Sequence, residues 1–153
     1  MRVLAGVAVA VFLVACGGGA TSSTETPSGS PVPSPLAGPS GKLNAEVPMP
    51  AGFPADVPVY PKARLTSGAA FVSSGQASWG MEWQTLDAAS KVQAFYASKM
   101  TQGDWTIAFS STSASTFAAT FKRKSSAAVT GTLAGNTVDG LTRILLSLVD
   151  ASG

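Results

Sequence analysis

The feature that most constrains the fold of this sequence is a strict alternation of apolar and polar side chains. It is clearest from Gln76 to Thr85. The apolar side chains of that run occupy every second position: Ala77, Trp79, Met81 and Trp83. Successive side chains of a strand point to opposite faces, so the pattern predicts a strand with one buried face and one face in water.

The same period recurs on both sides of this run. Arg64 to Val72 is predicted to be a strand that is joined to the first by a turn at Ser73–Gly75. Trp105 to Phe109 and Phe117 to Lys122 also alternate, with a serine-rich loop between them. Two such runs separated by a short loop predict a hairpin.

The C-terminal part is predicted to add further strands. Ala127 to Leu133 is a weaker strand, and Gly135-Asn136 and Asp139-Gly140 are turn signals. Leu141 to Val149 is almost continuously apolar, which predicts a central strand buried on both faces. A terminal helix is the alternative for this last run.

One helix is predicted between these groups of strands. Asp87 is a favourable N-cap residue, and Gly103 is a plausible end of the helix. Val92, Phe95, Tyr96 and Met100 fall at helical spacing between them. The fold class is therefore α+β: a mainly antiparallel sheet of five or six strands with one helix packed on one face.

The N-terminal third has a different composition. Residues 1–15 begin with Met1-Arg2, which gives a positive start, and continue as an apolar run too short to span a bilayer, which is typical of a signal peptide. Residues 16–50 are rich in Gly, Ser, Thr and Pro, which predicts a disordered tether. The domain is expected at residues 51–153, and its first ten residues alternate prolines with apolar residues, as in an extended segment lying across the domain.

Leu13-Val14-Ala15-Cys16 resembles the lipobox of bacterial lipoproteins. The resemblance implies cleavage between Ala15 and Cys16, and acyl chains such as palmitate attached at Cys16. Two or more acyl chains anchor a protein stably. We therefore expect attachment to the extracytoplasmic side of the cell membrane, or to an outer membrane if the cell has one. An ordinary signal peptide followed by a free thiol is the alternative.

Composition argues against several function classes. The sequence contains no histidine, the commonest general base and metal ligand, and only one cysteine. Ten basic residues nearly balance eight acidic ones, which disfavours a nucleic-acid binder. Neighbouring Ser90 and Lys91, or Ser98 and Lys99, could form a serine–lysine pair, but adjacent helical residues diverge. Glu82 is the one carboxylate within a clear strand. We expect no catalytic residues, no enzyme activity, no cofactor and no metal.

Two groups of residues could form a binding face. Trp79 and Trp83 could bind a ligand if they are exposed, since tryptophan is favoured at binding hot spots; core packing is the alternative. Lys122 and Lys124 share a strand face and could contact anionic headgroups or an acidic polymer. Solvation of the strand, or protection of a sheet edge, is the alternative for these lysines.

The pattern Phe53-Pro-x-Asp56-Val-Pro-x-Tyr60-Pro-x-Ala63, followed by Phe95-Tyr96 and Trp105, resembles small uncharacterised extracytoplasmic domains of bacterial lipoproteins. That family implies a fold but no activity. We therefore expect a membrane-anchored, non-enzymatic binding or interaction module of the cell envelope, whose protein partner or ligand is unknown. The alternative is a structural or accessory subunit of an envelope complex with no ligand of its own.

Overall fold

The computed structural model describes residues 41–153. The expected signal peptide, its cleavage site at Ala15 and Cys16, and the tether as far as residue 40 lie outside the described residues. Within the described part, no helix is both long enough and apolar enough to cross a membrane.

The described chain forms one six-stranded sheet with one helix, which confirms the predicted fold class. In chain order the elements are β1 (Arg64–Ser73), β2 (Gln76–Thr85), α1 (Ala89–Gln102), β3 (Trp105–Thr112), β4 (Thr116–Arg123), β5 (Val129–Val138) and β6 (Leu141–Asp150). The spatial order is β1-β2-β6-β5-β4-β3, and all neighbouring strands are antiparallel.

The connections explain this order. β1 and β2 form a hairpin, α1 carries the chain to the far edge, and β3 to β6 return as a meander until β6 pairs with β2. The hairpin turns at Ser74-Gly75 and Asp139-Gly140 both have positive φ at two successive residues. Such turns match the right-handed twist of paired strands. The predicted β3–β4 hairpin is confirmed as well.

One face of the sheet carries the core. Helix α1 packs against β3, β4 and β5, and the proline-rich segment before β1 lies over the tryptophans of β2. Core side chains come from every element, among them Tyr60, Leu65, Trp79, Met81, Trp83, Val92, Tyr96, Met100, Trp105, Phe117, Phe121, Leu133, Ile144 and Leu148. The predicted packing of the proline-rich segment is confirmed, since Val57 and Tyr60 are buried and Phe53 contacts two tryptophans.

The domain begins earlier than the composition suggested. The N–H of Asn44 donates to the side chain of Gln84, and the N–H of Val47 donates to the carbonyl of Leu65. Arg64 donates to the carbonyl of Asn44. The predicted boundary at residue 51 is therefore wrong: these backbone groups are bonded to the domain even though the composition is that of a tether.

The start of α1 also differs from the prediction. Ala88 is the N-cap and provides no side-chain hydrogen bond, while Asp87 accepts bonds from Tyr60 and Lys91 instead. The N–H of Ala89 donates to the hydroxyl of Thr137, on β5. The helix is thus capped by a side chain distant in sequence.

Two threonines extend this cap into a chain of hydrogen bonds. Thr142 lies 2.6 Å from the carbonyl oxygen of Asp87 and 2.6 Å from the hydroxyl of Thr137. A hydroxyl has one hydrogen, so Thr142 donates to Asp87 and Thr137 donates to Thr142. The chain ties the helix start to the β5–β6 hairpin.

Glycines on β5 accommodate aromatic rings from β4. Gly131 and Gly135 stand opposite Phe121 and Phe117 in the strand register. A Cβ at Gly131 would lie 2.3 Å from the Phe121 ring, and one at Gly135 would lie 2.1 Å from the Phe117 ring. The prediction of a turn at Gly135-Asn136 is wrong, because Gly135 is a ring-packing position inside β5.

The predicted central position of the last strand is correct, but its predicted burial on both faces is wrong. β6 lies centrally, between β2 and β5. Its side chains alternate: Ile144, Leu146 and Leu148 are buried, whereas Leu145 and Ser147 are exposed. The apolar run does not reflect burial on two sides, because no described helix or strand covers the second face of the sheet.

Candidate functional site

The two tryptophans of the predicted binding face lie in the core. Trp79 is 6% exposed and Trp83 is 2% exposed, and both contact Phe53 from the proline-rich segment. The indole N–H of Trp79 donates to the carbonyl of Ala51. An exposed Trp79/Trp83 face is therefore contradicted, and the core-packing alternative describes what these residues do.

The two lysines do not act together. Lys122 is exposed on the sheet face opposite the core, within β4. Lys124 lies beyond the end of β4, where its ammonium donates to the carbonyls of Thr101 and Gly103 at the end of α1. A cation at a helix C-terminus satisfies free carbonyls and is favoured by the helix dipole. The prediction that both lysines share one face is therefore wrong.

No described helix or strand covers the face of the sheet opposite the core, although the segment at Asn44 covers its end at Gln84, which is buried. Its middle row takes one residue from each strand, in register: Ala108, Thr120, Thr132, Ser147, Gly80 and Ala69. All six are small, uncharged and exposed. We call this surface, centred on that row, the open face. With strands about 4.8 Å apart, the row is about 24 Å wide.

The open face carries two shallow depressions. A concavity of about 750 Å³ lies over β3 to β6 and includes Thr120, Thr132, Ser147 and Val149. A second, of about 450 Å³, lies over β2, β5 and β6 and shares Thr132 and Ser147 with the first. The two depressions are therefore continuous across the middle of the sheet.

The charged side chains of the open face flank the middle row. Glu82 accepts a hydrogen bond from Gln84 and faces Arg143 at 3.9 Å, so these two charges compensate each other on one side of the middle row. Lys122 lies on the other side, and no carboxylate of the described residues lies within salt-bridge distance of it. The middle row itself contains no charge over the whole width of the sheet.

Away from the open face, a cluster of polar side chains around the carboxylate of Asp87 is structural. Asp87 accepts bonds from Tyr60 at 2.9 Å and from Lys91 at 3.2 Å, and Lys62 is nearby. These bonds lower the pKa of Asp87 below its usual value. Burial and the bond to Asp87 raise the pKa of Tyr60. The cluster joins the proline-rich segment to the start of α1. Its ion pair with Asp87 engages Lys91, one of the two lysines considered for a serine–lysine pair.

A second cluster joins the same segment to the other end of the sheet. Arg123 binds Asp56 at 2.9 Å and lies 4.5 Å from the centre of the Trp105 ring. The indole N–H of Trp105 donates to the carbonyl of Asp56. Asp56 and Arg123 therefore pair their charges with each other, and their role is structural. Among residues 41–153, no three side chains that could bind a metal ion come together.

Comparison of the chain with protein-family models, with curated proteins and with solved structures gives no match. The functional site is therefore inferred from its geometry alone.

The open face was not predicted from the sequence, although the sequence carries a signal for it. The polar phase of the predicted strands is rich in serine, threonine, alanine and glycine and carries few charged residues, among them Glu82, Lys122 and Arg143, whereas an ordinary wet face carries many Lys, Glu and Arg.

Proposed function

We propose that this chain is a lipid-anchored, non-enzymatic interaction module of the cell envelope whose open face binds a partner protein through its uncharged middle row of small side chains. The proposal that the open face binds a partner depends on the middle row, to which each of the six neighbouring strands contributes one uncharged, exposed residue. The anchoring part depends on the lipobox resemblance at Cys16.

The chemistry of the open face favours a protein layer over a charged ligand. Its side chains are short, so another backbone or side-chain layer can approach closely, as in sheet packing at about 10 Å. Leu145, 49% exposed, adds an apolar side chain next to the middle row. A charged partner would have only Lys122 to compensate it in the larger concavity.

The size of the open face supports the same proposal. Seven residues along a strand span about 23 Å, which with the width of about 24 Å gives on the order of 550 Å² of projected surface. Accessible area exceeds projected area on a surface of side chains, so the open face approaches the roughly 800 Å² that each partner contributes to a stable interface.

Anchoring is tested by labelling with an alkyne fatty acid in cells that express the full chain. We expect the label on the unsubstituted chain, which fractionates with membranes, and its loss in Cys16→Ser. Ala20→Ser is the matched control, since it makes a small change four residues further along and leaves the lipobox intact. Equal labelling of Cys16→Ser and the unsubstituted chain would refute the anchor.

Binding at the open face is tested by site-specific photocrosslinking in the same cells. A photoreactive residue in place of Thr132 is expected to form one dominant adduct. A photoreactive residue in place of Lys99, which is exposed on α1, is expected to form no adduct of the same mass. Thr120→Glu places a charge beside Thr132 in the middle row and is expected to reduce the adduct about tenfold or more. Ser98→Glu on the helix is the matched control.

The adduct also reports the chemistry of the partner. Peptide mapping of the crosslinked partner is expected to locate the bond on a surface without Lys, Arg, Asp or Glu. An adduct on a highly charged segment, or equal adducts at Thr132 and Lys99, would contradict the proposal.

A further inference from the structure

The free edge of β1 is unusually unprotected. β1 has a neighbour on one side only, and every residue from Ser67 to Ser73 is exposed. Phe71 is 69% exposed and Val72 is 79% exposed, the highest values among the exposed large apolar residues of the described chain. No charged residue occurs between Arg64 and Glu82. Edge strands are normally protected by charge, proline or a covering segment.

The backbone groups that are free at this edge can be assigned. Leu65 faces the core, and its carbonyl points away from β2 to accept the N–H of Val47. Residues on one face of a strand direct their backbone groups to the same edge. Gly68, Ala70 and Val72 face the same side as Leu65, because they oppose Met81, Trp79 and Ala77 in the register. Their N–H and C=O groups therefore point to the free edge.

Protection is limited to the first part of the strand, where the segment before β1 lies against Leu65 and Pro50 packs over Gly68. Val47 bonds at Leu65, and a bulge interrupts the register between Leu65 and Ser67. From Ser67 to Ser73 the register is regular. At the opposite edge of the sheet, β3 has its bulge between Phe109 and Ser111, which divides that strand and leaves a shorter regular edge. β1 is thus the better template for an added strand.

We propose that β1 pairs with β1 of a second copy of this chain, antiparallel and about a two-fold axis at Ala70. Ala70 then stands opposite Ala70 of the other copy, and Gly68 stands opposite Val72. The pairing extends from Ser67 to Ser73 and ends where Val47 begins to cover the edge. Three pairs exchange backbone hydrogen bonds, and no like charges meet, since the segment has none.

The side chains support a second copy as the occupant. On the open-face side, Phe71 of one copy stands opposite Ala69 of the other, and the next position in that row is Gly80. A Cβ at Gly80 would meet nothing within 4 Å, so there is room for a ring over Ala69 and Gly80. The two-fold axis makes this contact twice. Pairing therefore covers the two most exposed apolar side chains and joins two open faces into one surface.

The register is tested with cysteine substitutions in the purified full chain under mild oxidation. Opposite residues in an antiparallel pair have Cα atoms about 5.5 Å apart, which suits a disulfide. Ala70→Cys is expected to give a disulfide-linked dimer of the chain. Ala108→Cys, the same change on the opposite edge strand, is the matched control and is expected to give at least about fivefold less. The unsubstituted chain reports any link through Cys16, the only native cysteine.

A charge test locates the axis independently. Ala70→Lys places two ammonium groups side by side at the two-fold axis and is expected to weaken dimer formation about tenfold or more. A mixture of Ala70→Lys and Ala70→Glu chains is expected to restore pairing as a mixed dimer, because residue 70 meets residue 70. Native mass spectrometry distinguishes the mixed dimer from either self-pair.

Three outcomes would overturn the proposal. The first is equal crosslinking at residues 70 and 108, and the second is a monomeric Ala70→Cys chain at every concentration. The third is failure of the Lys and Glu mixture to pair while each variant keeps the tryptophan fluorescence of the folded chain. None of these tests depends on the lipid anchor or on a partner of the open face, so they fail separately from the proposed function.

Discussion

Replacing Gly131 with alanine tests the packing of the sheet most directly. The new Cβ would lie 2.3 Å from the Phe121 ring and 2.5 Å from the carbonyl oxygen of Ser147. Ordinary contacts of a Cβ are longer than 3.4 Å. The Phe121 ring is buried against Trp105, so the ring cannot leave without opening the core. Either the ring or the β5–β6 pairing must therefore shift.

The magnitude follows from a comparison with Gly80→Ala. Both changes reduce the entropy of the unfolded chain, which stabilises a protein by about 0.4 to 1 kcal/mol when the new Cβ meets open space, as it does at Gly80. Overpacking costs about 1 to 3 kcal/mol. Because the entropy effect is common to both variants, we expect Gly131→Ala to be less stable than Gly80→Ala by about 1 to 3 kcal/mol.

The assay is urea unfolding of the full chain followed by tryptophan fluorescence, which reports on three buried indoles: Trp79, Trp83 and Trp105. Gly135→Ala is expected to fall between the other two variants, since the three atoms nearest to its new Cβ all belong to the Phe117 ring and none is a backbone atom. A loss of 1 kcal/mol lowers the melting temperature by roughly 4 to 8 °C in a domain of this size. Equal stability of Gly131→Ala and Gly80→Ala would refute the proposed role of glycine as space for the rings.

Two further predictions concern the helix start. Thr142→Val is expected to lower the free energy of unfolding by about 1 to 3 kcal/mol, because it leaves the Asp87 carbonyl and the Thr137 hydroxyl without their bonds; Thr130→Val, on an exposed site, should change it little in the same urea titration. The pKa of Asp87 is lowered in the folded state, so its carboxylate stabilises the fold above the unfolded pKa of about 4 and that contribution is lost as pH falls through the folded pKa. Asp87→Asn should therefore be less stable at pH 7 and lose less stability on acidification; a parallel loss in both proteins would contradict this.

Local sequence patterns determined the elements of the sheet. Period-two alternation is a property of neighbouring residues, and it located β2 at its observed bounds, Gln76–Thr85. The turns at Ser74-Gly75 and Asp139-Gly140 are local too, since they depend on residues that tolerate positive φ. The length and apolar stripe of α1 also follow from the sequence.

Most of the errors concern contacts between residues that are distant in sequence. Asp87 has the chemistry of an N-cap, but Tyr60 and Lys91 bind its side chain, and Thr137 caps the helix instead. Gly135 has the chemistry of a turn residue, but Phe117 requires its missing side chain. In each case a tertiary partner decided between roles that the residue type leaves open.

The candidate site shows the same division. The sequence by itself determined that one phase of β2, β3 and β4 is apolar and the other more polar, because side chains alternate along an extended chain; it did not do so for β6, whose run is almost continuously apolar. It could not tell that Trp79 and Trp83 lie beneath Phe53, or that Lys124 turns away to the end of α1 while Lys122 stays on the open face. Only the order of the strands aligns Ala108, Thr120, Thr132, Ser147, Gly80 and Ala69 in one row. Strand order depends on which surfaces can be buried together, and that is settled by packing across the whole sheet.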